Sequence, residues 1–219
     1  MLRKLNLLYI CFISVFSYGQ NCNCKTFPEL KNIISCKPYL FDNGNLIKWN
    51  YNCNGSKLIF ENNSGQKVLF ELKAPLIELT GRLGYTYWRE FGENFIITNK
   101  VASGSQPEEY ILFDKNSGDK IIELGYEIDE NDKFIFFLNY TDDDNLNVIV
   151  FEKNNSKLRY IDLPNKIIDE SMKNSNQLFI SYLFSIQNID STEPVLMIKN
   201  YTKRNENFEY IKVQLTNIQ

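Results

Sequence analysis

This 219-residue chain contains no histidine, and one catalytic arrangement that its composition still allows is a pair of carboxylates. Without an imidazole there is no Ser-His-Asp or Cys-His catalysis, no ordinary zinc hydrolase site and no haem held by histidine. A pair of carboxylates could still hydrolyse a glycoside. The acidic residues are scattered, however, and their spacing singles out no pair among Glu90, Glu93, Asp114, Glu123 and Asp129. We therefore predict no catalytic residue and no cofactor.

The densest acidic segment runs from Thr141 to Asn147 and has the oxygen-rich composition that calcium prefers. Its residues 143, 145 and 147 are Asp, Asn and Asn, which matches the alternate spacing at the start of an EF-hand loop. Val148 then stands where that loop needs glycine, and Asn154 stands where it needs a bidentate glutamate. Because the match fails, we interpret the segment as a polar loop between two strands and predict no metal site.

One segment combines aromatic and arginine side chains in the way that binding surfaces do. On a strand, Tyr85, Tyr87 and Arg89 would share one face, and Trp88 and Glu90 would share the other. Such side chains suit a protein partner, and a tyrosine-tryptophan platform also suits sugar rings. The alternative is that the tryptophan fills the core and the arginine covers it with its stem. The predicted binding residues are Arg82, Tyr85, Tyr87, Trp88, Arg89 and Glu90.

The first nineteen residues have the pattern of a secretory signal peptide. Arg3 and Lys4 are followed by a nearly apolar run at 5–16, and Ser17-Tyr18-Gly19 places small residues before a cleavage site. The apolar run is shorter than the ~20 residues that a helix needs to cross a bilayer. We therefore expect cleavage after Gly19 and export to the periplasm or the extracellular space, with no membrane span in the mature chain. A retained N-terminal anchor is the alternative.

Four of the five cysteines remain after such a cleavage, and all four lie in the first third of the mature chain. An even number of cysteines in an exported protein predicts disulfides, here two, which join Cys22, Cys24, Cys36 and Cys53. A bridge between the first two would be strained, because only one residue separates them. Each is therefore expected to pair with one of the other two, and both such connectivities stay open.

The mature chain, residues 20–219, has the length of one domain with a proper core, and we expect a single β-rich domain. Removing residues 1–19 takes away two of the 24 basic residues and none of the 27 acidic residues, which leaves a net charge of −5. A mildly acidic chain without a basic run is a poor partner for nucleic acid, since affinity for nucleic acid comes from neutralising phosphates. It also lacks a polybasic patch for an anionic membrane.

A hairpin-like phrase recurs along the chain. Residues 57–72 read KLIFENNSGQKVLFEL, residues 110–124 read YILFDKNSGDKIIEL, and weaker versions occupy 148–163 and 195–215. Each consists of an apolar run, a polar turn and a second apolar run, which predicts two strands. The turns at Asn63–Gly65 and Asn116–Gly118 place glycine where a left-handed backbone position costs it little. We interpret the Asn-Ser-Gly phrase as turn chemistry rather than as a ligand motif.

A further strand-like run precedes each hairpin, so the chain repeats a unit of three to four strands. Units of 40–50 residues with this content are typical of propeller blades. The predicted fold is all-β, with at least ten mostly antiparallel strands in a small propeller-like arrangement and a disulfide-stapled N-terminal segment. A β-sandwich and an open meander are the alternatives. A short helix is expected at Asn165–Lys173, where apolar residues have helical spacing.

These observations favour a non-enzymatic function outside the cytoplasm. We expect an exported binding protein with a protein partner, of the kind represented by envelope inhibitors and immunity proteins. Such a protein needs no catalytic residue, which agrees with the chemistry excluded above. The alternative is a carbohydrate-binding protein or a carboxylate-dependent protein that acts on glycans.

Overall fold

The chain forms strands along most of its length, as its sequence predicts. A computed structural model describes residues 22–79, 84–100, 107–140, 145–177, 179–187, 195–202 and 208–214. These ranges contain fourteen β-strands and two α-helices, and all pairs of named strands are antiparallel. The predicted all-β class is therefore confirmed. The predicted signal peptide, residues 1–19, lies outside the described ranges.

The first sheet contains four strands in chain order. Its strands are β1 (Tyr39–Leu40), β2 (Leu46–Asn52), β3 (Gly55–Asn62) and β4 (Gly65–Lys73). Strands β3 and β4 form the hairpin predicted over residues 57–72, and Gly65 at its turn has a φ of +140°. A short 3₁₀ turn follows at Leu76–Leu79.

The second sheet contains seven strands, also in chain order. Its strands are β5 (Gly84–Phe91), β6 (Asn94–Lys100), β7 (Glu109–Asp114), β8 (Lys120–Glu130), β9 (Phe134–Tyr140), β10 (Leu146–Glu152) and β11 (Lys157–Asp162). Strands β7 and β8 form the hairpin predicted over residues 110–124. Gly118 at this turn has a φ of +66°, and a methyl group there would lie 2.4 Å from the ring of Phe60 in the first sheet. The turn thus needs glycine for its backbone and for packing.

The third sheet contains β12 (Phe184–Gln187), β13 (Val195–Asn200) and β14 (Glu209–Gln214). Helix α2 (Asn165–Asn174) occupies the predicted helical segment, and a 3₁₀ turn at Ile180–Leu183 leads into β12. The buried Ser171 hydroxyl fastens α2 to the sheet, because it donates to Lys199 O and accepts from Tyr201 N, each at 2.7 Å.

Strand β8 is shared by two repeat units. Its first half pairs with β7 and its second half pairs with β9, and Tyr126 is opposite both Glu109 and Leu138. The two units are therefore parts of one continuous sheet and not separate blades. The propeller-like arrangement is not confirmed, and the sheet corresponds to the open meander named as its alternative.

The seven-stranded sheet curls so strongly that its first strand, β5, contacts β10 and the turn between β10 and β11. A flat sheet of seven strands would separate its edges by about 29 Å, at about 4.8 Å per strand. The Ser156 hydroxyl, in the β10–β11 turn, nevertheless donates to the carbonyl of Phe91 in β5 at 3.2 Å. The rings of Phe91 and Phe151 also contact each other at 5.1 Å between centroids. The sheet therefore folds around its own concave face.

Three clusters of buried side chains lie on the two faces of this curled sheet. One fills the concave face and includes Phe137, Ile149 and Phe151. Alternate residues of the same strands point to the convex face, where the first sheet covers β6 and β7 at one half. At the other half, the third sheet and α2 cover β9 and β10. The two covering sheets thus leave the middle of the convex face between them, near β8.

Two disulfides, Cys22–Cys36 and Cys24–Cys53, staple the N-terminal segment, and the second of them joins it to the β2–β3 turn of the first sheet. Cys22, Cys24 and Cys36 pack into the core shared by the first and second sheets, next to helix α1 (Leu30–Ile33), whereas Cys53 is exposed. This is one of the two connectivities that the spacing of the cysteines left open. Disulfides of this kind persist in an oxidising environment outside the cytoplasm.

Candidate functional site

The segment predicted to bind a partner lies on β5, the edge strand of the seven-stranded sheet. Arg82 and the side chains of Tyr85 and Tyr87 lie outside the described part of the structure. A register shift between Tyr85 and Tyr87 interrupts the strict alternation that the sequence prediction assumed. The side chains of Trp88, Arg89 and Glu90 are described, and each is engaged within the fold.

Trp88 packs against the core between the first two sheets. Its ring meets that of Tyr39 edge to face, with 6.0 Å between centroids. The Tyr39 hydroxyl in turn donates to the Glu90 carboxylate at 3.2 Å. The structure thus agrees with the alternative interpretation of Trp88, in which its main role is packing.

Glu90 belongs to a clamp between the first two sheets. Its carboxylate accepts from the buried ammonium group of Lys115 at 3.0 Å and from the Asp42 backbone N–H at 3.1 Å. The ammonium group also pairs with the Asp42 carboxylate at 2.5 Å. The Lys115 hydrogen bond, opposed by partial desolvation, lowers the pKa of Asp42. Burial tends to lower the pKa of Lys115, but its two carboxylate partners outweigh burial and raise it.

The clamp predicts a defined pH dependence of stability. The pKa of Asp42 is lower in the fold than the value of about 3.9 expected in the unfolded chain. Its stabilising contribution is therefore complete above pH ~4 and is lost as the pH falls through the folded pKa. We expect the free energy of unfolding of the wild type to fall more steeply between about pH 4 and pH 2 than that of Lys115→Met, as measured by urea denaturation.

The slope of the profile, rather than the stability at one pH, is the decisive measurement, because Lys115→Met also disturbs packing at neutral pH. Asp119 and Glu130 have lowered pKa values for independent reasons and contribute the same slope to both proteins. Parallel profiles for wild type and variant would show that Lys115 does not depress the pKa of Asp42.

Arg89 is also neutralised within the fold. Its guanidinium group donates to Glu127 at 2.8 Å and to Glu130 at 2.7 Å, and it lies 5.7 Å from the centroid of the Tyr110 ring. Burial, together with the nearby Glu127 carboxylate, raises the pKa of the Tyr110 hydroxyl to about 12. Arg89 therefore holds Glu127 in place rather than offering a free positive charge.

Glu127 lines a cleft of about 800 Å³. The cleft lies where β12 meets β8, between the second and third sheets. One wall comes from the second sheet and the residues before β7, namely Pro107, Glu108, Glu127 and Ile128. The other wall comes from the third sheet and the residues before it, namely Gln177, Ser181, Tyr182, Phe184 and Lys199.

The charged groups of the cleft differ in their partners. Glu127 is paired with Arg89, and Glu108 is paired with Lys100 at 2.8 Å. The ammonium group of Lys199 lies 5.5 Å from the centroid of the Phe208 ring, and no carboxylate in the described ranges forms an ion pair with it. Among the described residues, the cleft thus has two carboxylates with cationic partners and one ammonium group without an acidic partner.

Aromatic side chains surround Lys199. Tyr182 lines the cleft with 48% of its surface exposed. Phe208 contacts both Tyr201 and Tyr210, with centroids 5.2 Å apart in each pair. Tyr210 is opposite Lys199 in the β13–β14 register and is 47% exposed. Tyr182 thus belongs to the lining of the cleft, whereas Phe208 and Tyr210 lie beside Lys199 and outside that lining; together these three rings form what we call the aromatic rim.

Sequence reasoning missed this cleft because residues distant in the chain build it. Glu127 and Lys199 belong to different sheets, and neither stands out in its own segment. The aromatic residues of the fourth hairpin, Phe208 and Tyr210, were a usable signal, but strands are generally rich in aromatics. Among the described side chains of the segment 82–90, Arg89 contacts the cleft residue Glu127.

The acidic loop predicted not to bind metal lies largely outside the described residues, which resume at Asn145. Asn147 is buried on β10, and its Oδ1 has no hydrogen-bond partner within the described ranges. Those ranges contain no group of three or more His, Cys, Asp or Glu side chains placed to hold a metal ion. Nor do they include a helix with the length and apolar character needed to cross a membrane.

Comparison with protein-family models gives no match to this chain, and a search of curated proteins gives no similar sequence. Its function must therefore be argued from the cleft and its surroundings.

Proposed function

We propose that this chain is an exported, non-enzymatic binding protein whose ligand occupies the cleft between the second and third sheets. The observation that carries the proposal is the cleft itself, which at about 800 Å³ has the size of a typical ligand site. Its lining combines the apolar residues Pro107, Ile128 and Phe184 with polar and charged side chains that can orient a ligand. Export through a signal peptide at residues 1–19 is part of the proposal and is supported by the two disulfides.

The state of the two cleft carboxylates supports binding over catalysis. Glycoside hydrolysis needs one carboxyl group that gives up a proton and a second that attacks or activates water. In the cleft, Glu127 is held by Arg89 and Glu108 is held by Lys100. Both acids therefore already have cationic partners, which favours a structural role in shaping the cleft wall.

A partner protein of the inhibitor or immunity kind is the second candidate. The exposed rings of Tyr182, Phe208 and Tyr210 favour it, because aromatic side chains supply much of the binding energy at protein interfaces. On this alternative the partner would cover the rim of the cleft. Tyr85 and Tyr87 remain predicted contacts, and the role proposed for Arg89 is to position Glu127.

A bulky residue in the cleft should abolish ligand binding. Ser181 lines the cleft and is partly exposed, so Ser181→Trp fills the space with an indole ring. The matched control is Ser64→Trp in the exposed β3–β4 turn. The oxidised proteins, residues 20–219, are immobilised and exposed to envelope and culture fractions of the source cells. We expect wild type and Ser64→Trp to retain the same species and Ser181→Trp to lose it.

Thermal unfolding of all three proteins establishes that they are folded. Equal retention by all three would place the contact surface outside the cleft. Turnover of a glycan or peptide by the purified protein, abolished by a single substitution of Glu108 or Glu127, would replace the binding function with a catalytic one.

A further inference from the structure

The charges of the cleft point to the class of its ligand. Both of its carboxylates form ion pairs with cations of the fold, whereas the ammonium group of Lys199 lies over the Phe208 ring and forms no ion pair with a carboxylate of the described residues. A lysine ammonium group has three hydrogens to donate, and a ring face satisfies these only weakly. A ligand that neutralises Lys199 would therefore carry negative charge.

A second lysine, Lys212, lies near Lys199 on the third sheet, outside the residues that line the cleft. Met197 is opposite Lys212 and Lys199 is opposite Tyr210 in the β13–β14 register. Residues 197 and 199 point to the same face of β13, so Lys212 and Tyr210 point to that face as well. Diagonal neighbours of this kind are separated by about 7–8 Å. Lys212 is exposed, and it forms no ion pair with a carboxylate in the described ranges.

The remaining lining suits sugar rings. Gln177, Ser181 and Tyr182 provide side-chain amide and hydroxyl groups, which both donate and accept hydrogen bonds. Sugar hydroxyl groups do the same. The exposed rings of Tyr182, Phe208 and Tyr210 offer apolar faces against which a sugar ring can pack. An acidic peptide would use the lysines equally well, but it would use these hydroxyl and amide side chains less fully.

We propose that the cleft binds an acidic oligosaccharide, whose sugar carboxylates pair with Lys199 and Lys212 and whose rings pack on the aromatic rim. This inference rests on the proposed binding function and specifies its ligand class. A carboxylate bound by an ammonium group forms a charge-assisted hydrogen bond, which is stronger than a neutral one. Affinity should therefore depend on the sugar carboxylate and should fall as salt is added.

The test compares hexamers of glucuronic and galacturonic acid with the matching hexamers of glucose and galactose. Each acid differs from its neutral partner only in a carboxylate that replaces a hydroxymethyl group. By calorimetry, we expect at least one uronate to bind the wild type about ten-fold or more tightly than its neutral partner, since a hydrogen bond to a charged group contributes roughly this much. Lys199→Gln should remove the difference, and Lys199→Arg should keep it.

Lys166→Gln is the matched control, because Lys166 is exposed on α2. It should leave uronate affinity unchanged. Equal affinity for acidic and neutral hexamers, or no loss with Lys199→Gln, would overturn the inference. So would the absence of binding by either uronate, or tighter binding of hexaglutamate with the same dependence on Lys199. The Ser181→Trp experiment judges the binding function separately, because it does not depend on the chemistry of the ligand.

Discussion

Reduction of both disulfides is expected to lower the free energy of unfolding by about 6.5 kcal/mol. The Cys22–Cys36 bridge closes a loop of 14 residues and the Cys24–Cys53 bridge closes one of 29. In the chain-entropy model, loops of these lengths contribute about 3 and about 3.5 kcal/mol by restricting the unfolded chain. A domain of this size has a total stability of about 5–15 kcal/mol, so the reduced protein should be close to unfolding.

Urea denaturation with and without reductant measures this effect. A Cys22→Ala/Cys36→Ala variant provides the control, because it should lose about half of the stabilisation at once and the rest on reduction. An unchanged midpoint in reductant, or four free thiols found by alkylation of the native protein, would contradict the prediction.

The second large effect is expected at Gly125, in the middle of β8. Gly125→Ala should lower the free energy of unfolding by about 3–5 kcal/mol. Gly125 has a φ of +82°, and a methyl group added there would lie 2.0 Å from the carbonyl oxygen of Leu138 on β9. That atom belongs to the backbone of a neighbouring strand, so it cannot move aside without breaking the pairing of β8 with β9.

Gly44→Ala is the matched control for this substitution. Gly44 also has a positive φ, +84°, but no atom lies within 4 Å of the added methyl group. Gly44→Ala should therefore lower the free energy of unfolding only by the backbone strain, about 1–2 kcal/mol. Denaturant midpoints of the two variants provide the comparison. If both cost the same, the close approach of β9 to Gly125 does not contribute to stability.

Local patterns in the sequence predicted the elements of this fold well. The Asn-Ser-Gly phrases mark turns because glycine accepts the left-handed backbone conformation, and both Gly65 and Gly118 adopt a positive φ. Alternating and continuous apolar runs predicted the strands, and the apolar spacing at 165–173 predicted helix α2. Each of these signals acts over a few residues, which is why it can be recognised without the fold.

The arrangement of the sheets was harder to predict from the sequence than the individual strands and turns. The sequence suggested similar units in a ring, but β8 continues past its pairing with β7 and also pairs with β9. The pairing of β8 with β7 shifts register next to Gly125, whose positive φ accompanies a bulge there. A single glycine inside an apolar run suggests a bulge, but it does not show which strand approaches it.

For the candidate site, too, the sequence determined some features and the packing of the sheets determined others. Composition determined that this chain has no histidine chemistry, and cysteine number and position determined two disulfides near the N-terminus. Only the tertiary structure decided that Arg89, Trp88 and Glu90 are engaged by partners within the fold, and that Glu127 and Lys199 line one cleft. The physical reason is the distance along the chain over which each feature is determined. Turns, strands and helices follow from neighbouring residues. Whether a charged side chain has an ion-pair partner depends on residues that are distant in the sequence and meet only when separate sheets pack together.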